Sequence, residues 1–404
     1  MTKQRFILLR ERKLPPDARV PLSPAQCAQA MRDFPLEIVA EPSPIRCFTD
    51  AEYRAAEIAV RDARREADVL LGVKEVPVDE LIPGKTYCMF SHTIKKQPYN
   101  RGLLQAILER DIRLIDYEVL TDERGLRLIA FGRFAGMVGA HNALYTYARR
   151  TGAFELARMT DFRDYAEARA TYRKLSLPAV KIVLTGTGRV GNGAAEVLRD
   201  MGIRQVEPED FLEKDYAEAV FTQLGPEHYV RPRGNHPFDM QDFFDHPDRY
   251  QNAFQAYARA ADIMINGIFW DKRAPAFFRR EEMAEADFRI RVIADVTCDI
   301  APESSIPATL RATTIADPIF GFDPATGSEA PPHQEQVIDM MTIDNLPSEL
   351  PRDASQAFGE MFLQHVLPEF FKPESPMLER ATIVRNGELG RHFQYLADYA
   401  AGNH

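Results

Sequence analysis

The chain has 404 residues, 45% apolar and 27% charged, enough for about two or three globular domains. A net charge of −10 argues against a nucleic-acid surface, and no apolar run approaches the ~20 residues that span a bilayer. Arg10-Glu11-Arg12-Lys13 cuts off the apolar run at 6–9, unlike a signal peptide. Cys27, Cys47, Cys88 and Cys298 are scattered without metal-type spacing, so reduced thiols in the cytoplasm and no metal are expected.

Strands are predicted at Phe6–Leu9, Ile38–Ala40, Val69–Val73, Tyr87–Ser91 and Arg113–Asp116. Helix starts lie between them. Ser23-Pro24-Ala25-Gln26 offers a cap serine, proline at the first helical position and glutamine at the box position, and Thr49-Asp50-Ala51-Glu52 repeats the logic. Such alternation implies a largely parallel sheet covered on both faces. Residues 132–150 read as a long helix carrying small residues at Gly132, Ala135, Gly136, Gly139 and Ala140, fit for close helix approach.

The most informative stretch follows. Lys181–Thr185 is a short buried strand, Gly186-Thr187-Gly188-Arg189-Val190-Gly191 comes next, and Asn192-Gly193 opens a helix with one apolar face at Ala194, Val197, Leu198 and Met201. Between strand and helix each glycine has a task. Gly186 permits the tight turn, Gly188 lets a pyrophosphate approach the backbone, and Gly191 lets helix and strand pack closely. The helix N-terminus adds free N–H groups for phosphate, with Arg189 and Val190 in the loop itself. The alternative is a glycine-rich turn with no ligand.

An acid that reads the adenosine ribose is expected about 20 residues after the first glycine. Ile203–Glu207 is the strand candidate and Glu207 its acid, which favours NAD over NADP; Arg204 nearby could instead meet a 2′-phosphate. The excursion at 225–250 is read as ordered, since Phe238, Phe243, Phe244 and Tyr250 are too apolar for a solvated linker. Further strands are predicted at Asp262–Phe269, Ile290–Asp295, Ala312–Ile315 and Val337–Ile343. A helix over Ala354–Phe371, an extended Ala381–Val384 and a last helix near Leu389–Ala401 complete the chain.

Lys74 and His92 stand at predicted strand ends, where a doubly wound sheet lines its ligand crevice. A lysine there serves as a base only if its pKa falls from ~10.4 toward ~7–8. Glu118 is expected to pair with Lys74. Arg19, and Arg127 near Phe131, are fork donors suited to carboxylates. The doubly prolined Asp344–Ser355 loop is either a stiff connector or part of a site.

At these residues the chain resembles the lysine-forming saccharopine dehydrogenases and the lysine–2-oxoglutarate reductase half of bifunctional animal and plant enzymes. These sit within the wider group of alanine dehydrogenase and the transhydrogenase nicotinamide domain. The motifs are Gly72-Val73-Lys74-Glu75, Phe90–Lys95, Ile112–Glu118, Ala130-Phe131-Gly132, Ile293–Asp299 and the Asp344–Ser355 loop. The resemblance implies an α/β chain of two Rossmann-like, doubly wound parallel-sheet domains with a cleft between them: 1–131 plus 345–404 for substrate and catalysis, 132–344 for the dinucleotide. It implies Lys74, His92 and Glu118 as catalytic groups, Arg19, Arg127 and Phe131 as substrate contacts, and Asp295 and Asp344 beside an NAD or NADP cofactor. The implied reaction is reversible reductive condensation of lysine, or a related amine, with a 2-oxoacid. The rivals are an alanine dehydrogenase-like deaminating enzyme and a non-catalytic NAD(P)H sensor. No nucleic-acid or membrane partner is expected, and nothing in the chain fixes an oligomeric state.

Overall fold

The computed structural model describes residues 3–234 and 236–403. Two compact units form: Met1–Phe131 with Pro351–His404, and Gly132–Leu350. Among the described residues no helix is long and apolar enough to cross a membrane.

The first unit carries an eight-stranded sheet. Its early strands are β1 (Gln4–Leu8), β2 (Leu36–Ala40), β3 (Ala59–Val60), β4 (Val69–Leu71), β5 (Thr86–Met89) and β6 (Arg113–Asp116), all parallel. The chain moves from β1 outward through β2 to β3, then returns to place β4 on the other side of β1. Buried apolar residues pack on both faces. The capping logic holds at α1 (Pro24–Asp33) and α2 (Asp50–Ala55). Ser23 and Thr49 each accept from the backbone N–H three residues on, and Gln26 and Glu52 each accept a cap N–H in return. Helix α3 (Arg101–Glu109) leads into β6.

The second unit begins with α4 (Gly132–Thr151) and α5 (Tyr165–Tyr172). Its sheet gains β7 (Lys181–Thr185), α6 (Arg189–Asp200), β8 (Arg204–Gln205), α7 (Pro208–Glu213) and β9 (Val220–Leu224). The described residues of the excursion are ordered. β10 (Val230–Pro232) pairs antiparallel with β11 (Tyr250–Asn252), and Phe243 and Tyr250 are buried. The sheet continues through β12 (Ile263–Asn266), β13 (Val292–Asp295), β14 (Ile319–Asp323), β15 (Ser328–Ala330) and β16 (Ile338–Met341). The spatial order is β15-β14-β16-β13-β12-β7-β9-β8, parallel except for β14 and β15. The small-residue stripe of α4 lies against α6: a Cβ at Gly136 would stand 1.8 Å from the Val190 carbonyl oxygen.

Four expectations are corrected. Ala312–Ile315 makes only a single bridge, Thr313 to Ile343. The place beside β16 goes to β14, where a Cβ at Gly321 would stand 2.6 Å from the Pro331 carbonyl oxygen, so the partner backbone approaches closely. The helix after the doubly prolined loop keeps α geometry only over Pro351–Met361, then widens to a π turn and tightens to a 3₁₀ turn ending at Phe371. Pro368 has no N–H to continue the α ladder, and its ring crowds the carbonyl four residues back. The last helix shrinks to Ala397–Ala401. The extended segment at Ala381–Val384 is β17 (Thr382–Arg385), which pairs antiparallel with β6 on one side and, in a hairpin, with β18 (Glu388–Leu389) on the other. Asn386-Gly387, with φ of +52° and +71°, is the turn pair such a two-residue hairpin requires. The glycine-loop helix opens at Arg189 rather than at Asn192.

Candidate active site

Because β4 returns beside β1, the strand order of the first unit reverses there, and the carboxyl ends of those two strands flank its ligand crevice. Glu11 lies past β1 and Gly72-Val73-Lys74 past β4. The buried Glu11 carboxylate accepts the backbone N–H groups of Val73 at 2.6 Å and Lys74 at 2.9 Å, so it fixes the turn that carries the lysine. Burial pushes the Glu11 carboxyl up to about 7. Lys74 is largely withdrawn from solvent. Desolvation first, then the neighbouring Arg19 cation, lower its ammonium pKa below the usual lysine value.

His92 follows β5 in a left-handed conformation, φ +54°. Its ring lies 6.5 Å from that of Phe90, nearly parallel, and its Nδ1 is 3.6 Å from Glu75 Oε2. Those two atoms are buried and make no hydrogen bond among the described residues. Glu75 also pairs with Lys13. Burial alone would raise the Glu75 carboxyl, but His92 and Lys13 outweigh it and hold it at about 2. Asp116, at the end of β6, braces both neighbouring loops. It accepts Ser91 Oγ–H at 2.5 Å, the Ser91 N–H at 2.9 Å and the Glu118 N–H at 2.7 Å.

Glu118 does not pair with Lys74, as the sequence reading expected. It faces Lys95 at 3.3 Å and Arg127 at 3.9 Å. Arg127 also donates from Nε to the Ile129 carbonyl at 2.9 Å and lies 5.3 Å from the Phe90 ring. The Arg19 guanidinium lies 4.4 Å above Phe131, so the predicted substrate contacts Arg19 and Phe131 do meet. Glu349 is buried against Asn142 and Arg158, and Ser355 accepts the Val20 N–H.

In the second unit the order reverses between β7 and β12. Gly186 has φ +102°, and a Cβ there would stand 2.4 Å from the Gly267 carbonyl oxygen. A Cβ at Gly191 would stand 1.9 Å from the Gly186 oxygen, so strand and helix touch there. Gly188, the N-cap of α6, has open space around its missing side chain. Val190 turns inward, its Cγ1 within 2.7 Å of a Cβ built on Gly267. This cradle of helix N–H groups under an open glycine fits a pyrophosphate.

Two cofactor expectations change. Asp295 is fully buried and its oxygens are taken by Asn266 at 2.9 Å, Thr309 at 2.6 Å and the Cys298 N–H at 3.3 Å, so its carboxylate ties strand ends together. Burial lifts it to about 6. The strand beside β7 is β9, not β8. Glu207, past β8, is therefore one strand too far out, an exposed residue at the start of α7. Asp344 is exposed just past β16. The sequence reading gave no role to Glu75, Asp17 or Asp116. The Gly-Val-Lys-Glu motif held the signal for Glu75, and the Asp-x-Arg spacing held it for Asp17.

Residues 7–138 match the family model "Alanine dehydrogenase/PNT, N-terminal domain". The mitochondrial alpha-aminoadipic semialdehyde synthase of Bos taurus is 29% identical over 429 residues, covering 94% of this chain and 46% of the relative. The chain thus spans about half the length of that relative. The saccharopine dehydrogenase [NAD(+), L-lysine-forming] of Emericella nidulans is 28% identical over 380 residues, covering 89% of this chain and 91% of the relative. Among solved structures, an L-alanine dehydrogenase superposes with a TM-score of 0.65 at 15% identity, covering 98% of this chain and all of that one. The transhydrogenase from Sinorhizobium meliloti follows with 0.58 at 13% identity, covering 96% of this chain and 100% of that one. These likenesses establish the fold.

Proposed function

For a chain homologous over most of its length to the lysine-forming saccharopine dehydrogenases, we propose an NAD(P)-dependent dehydrogenase of the CH–NH group. It joins the ε-amine of lysine, or a related amine, to 2-oxoglutarate and reverses that step. The second unit takes the dinucleotide and the first supplies substrate contacts and proton transfer. The observation that carries this is Lys74: a lysine at the switch point of a doubly wound sheet, desolvated, and with no ion pair among the described residues.

The chemistry needs what these groups offer. A bound nicotinamide supplies and takes back the hydride. When amine and oxoacid condense, water leaves a carbinolamine and an imine forms; in reverse, the secondary amine loses a proton before the C–N centre is oxidised. Lys74, its ammonium pKa lowered by burial and by the Arg19 cation, takes that amine proton. His92 gives and takes protons as the carbinolamine forms and collapses. Glu75 stays ionised beside it and stabilises the imidazolium. Glu118 tempers the cations Lys95 and Arg127. Arg19 and Arg127 receive substrate carboxylates, with Phe131 as the apolar wall.

The reaction uses free thiols nowhere, and all four cysteines are unpaired; that supports a reducing compartment, and we assign the cytoplasm. The test is loss of reduced-nicotinamide absorbance with 2-oxoglutarate or pyruvate, crossed with lysine, ammonia and other amines. Turnover with lysine and 2-oxoglutarate supports the proposal. Turnover confined to ammonia and pyruvate moves the chain to the alanine dehydrogenase-like reading, and cofactor binding without turnover across the panel makes it a sensor.

A further inference from the structure

The mechanism uses the carboxyl ends of the first unit's strands. The opposite end of the same sheet holds a second cavity, of about 600 Å³, built within that unit. Gln4, which opens β1, and Arg113, which opens β6, both line it. Thr86, which opens β5, pairs with Arg113, whereas His92 lies beyond the far end of that strand. Arg113 belongs to the Ile112–Glu118 motif, of which the reaction above uses only the acids Asp116 and Glu118.

The cavity wall carries the cations Arg113, Lys372, Arg385 and Arg391 and the acids Glu369, Glu374 and Glu379. The acids are unequally committed. Glu369 accepts from Lys372 Nζ with one oxygen and from Ser375 Oγ with the other, each at 2.6 Å. Glu379 reaches Arg385 only at 3.8 Å. Arg113 donates from Nη2 to Thr382 Oγ1 at a long 3.4 Å. Among the described residues Arg113 and Arg391 form no ion pair, and the Arg113 Nε is buried without a hydrogen bond. Val384 pairs with Leu114, which sets Arg385 beside Arg113 on the next strand. Desolvation first, and then the Arg385 cation, lower the Arg113 pKa below the usual arginine value. A half-buried guanidinium beside a like charge, with one donor unused, is costly. An oxyanion bonded to both forks offsets the repulsion and satisfies Nε.

Charge and space decide which oxyanion. A carboxylate neutralises one cation. A phosphate monoester carries about −1.5 to −2 at neutral pH and three acceptor oxygens, enough for both arginines. Small-molecule sites span roughly 300–1,000 Å³, and a free phosphate ion would leave most of this cavity empty. Gln4, Glu374 and Glu379 offer acceptors for hydroxyl groups on the organic part.

We propose that this cavity binds the phosphate monoester of a small hydroxylated metabolite, its phosphate held between Arg113 and Arg385, at a site separate from the catalytic crevice. Such binding does not depend on the reaction assigned above.

The test is calorimetric titration of the intact protein with glycerol 3-phosphate and glucose 6-phosphate, against inorganic phosphate and glycerol. At least one monoester should bind saturably at one site per chain. Inorganic phosphate should bind at least tenfold more weakly, and glycerol not at all. Arg113→Gln and Arg385→Gln should each weaken the monoester at least tenfold, while Gly188→Ala and Arg127→Ala leave it unchanged. Should Arg113→Gln not fold, the exposed Arg385 still carries the test. Absence of monoester binding, or unchanged affinity in Arg385→Gln, overturns the site. Loss of binding in Gly188→Ala puts the phosphate on the glycine loop, and loss in Arg127→Ala puts it in the crevice; either result overturns the proposal. Inorganic phosphate binding as tightly as the monoesters overturns the organic occupant.

Discussion

Asp17 grips Arg19 from two residues away: Oδ1 accepts the Arg19 backbone N–H and Nε–H, each at 3.0 Å, and Oδ2 accepts from Nη2 at 2.6 Å. Both side chains are buried. Burial would lift the Asp17 carboxyl, yet the guanidinium overrides it and holds it at about 2. The pair acts on Lys74 with opposite signs. Beyond desolvation, Arg19 lowers the Lys74 pKa and Asp17 raises it. A lysine that accepts a proton works once deprotonated, so the rate of amine oxidation should rise with pH through the Lys74 pKa. Asp17→Asn removes the supporting anion and should move that rising limb to lower pH. Arg19→Gln removes the opposing cation and should move it to higher pH. The measurement is kcat/KM for oxidation across pH in the three proteins; shifts of the same sign would dissociate the limb from Lys74.

Lys74→Met and His92→Gln should each slow the chemical step by about 10²–10⁴. Their dinucleotide affinity should stay close to wild type, because the glycine loop belongs to the other unit. If the two groups serve one proton route, the double variant falls well short of the product of the singles. Glu75→Gln should act through His92, whose ring lies 3.6 Å away, by removing the anion beside it, and so slow the reaction less than His92→Gln does. Single-turnover rates within threefold of wild type would remove Lys74 and His92 from the mechanism.

Much of this was legible in the sequence because it depends on neighbours in the chain. Ser23 and Gln26, or Gly186 to Gly191, perform their tasks within a few residues, and their spacing shows it. The strand ends bearing Lys74 and His92 were legible for the same reason. What depended on strand order was not. Glu207 has the right distance along the chain and the wrong strand, since β9 enters between β7 and β8. The Glu118 pairing failed likewise: Lys95 and Arg127, both local in sequence, reach it where Lys74 does not. The Asn386-Gly387 turn lies between the extended segment and the last helix that the sequence predicts, and it closes a hairpin.

Arg19 and Arg127 are predicted to select a dicarboxylate. A charged contact of ~1.5–3 kcal/mol corresponds to roughly ten- to a hundredfold in affinity. Arg127→Ala should therefore raise KM for 2-oxoglutarate by that factor and for pyruvate by much less. The Arg19 side chain is braced by Asp17 and stacked on Phe131, so its removal also leaves a buried carboxylate without its cation. Arg19→Ala should consequently cost about 3–5 kcal/mol of stability as well, read by denaturant unfolding, whereas Arg127→Ala should cost far less. Equal effects of Arg127→Ala on both oxoacids would show that it does not choose between them.

Two glycines of the second unit separate packing from binding. The three atoms nearest a Cβ at Gly136 are all backbone of α6: the Val190 oxygen at 1.8 Å, its carbon at 2.7 Å and the Ala194 nitrogen at 2.9 Å. No rotamer change relieves such a contact, so the two helices must part. Gly136→Ala should then destabilise the protein by about 3 kcal/mol or more, beyond the usual range for overpacking because backbone must move. Gly188 presents the opposite case. It lies at φ −84°, which an alanine adopts freely, and a Cβ there meets nothing within 4 Å. Gly188→Ala should cost only about 1 kcal/mol, the ordinary difference at a helix N-cap. If a pyrophosphate fills that open space, however, the added methyl occupies its approach, and dinucleotide affinity should fall at least tenfold. Thermal unfolding and calorimetric titration of both variants read the two effects apart. A Gly188→Ala protein that binds NAD as tightly as wild type would show that the glycine loop does not seat the phosphates.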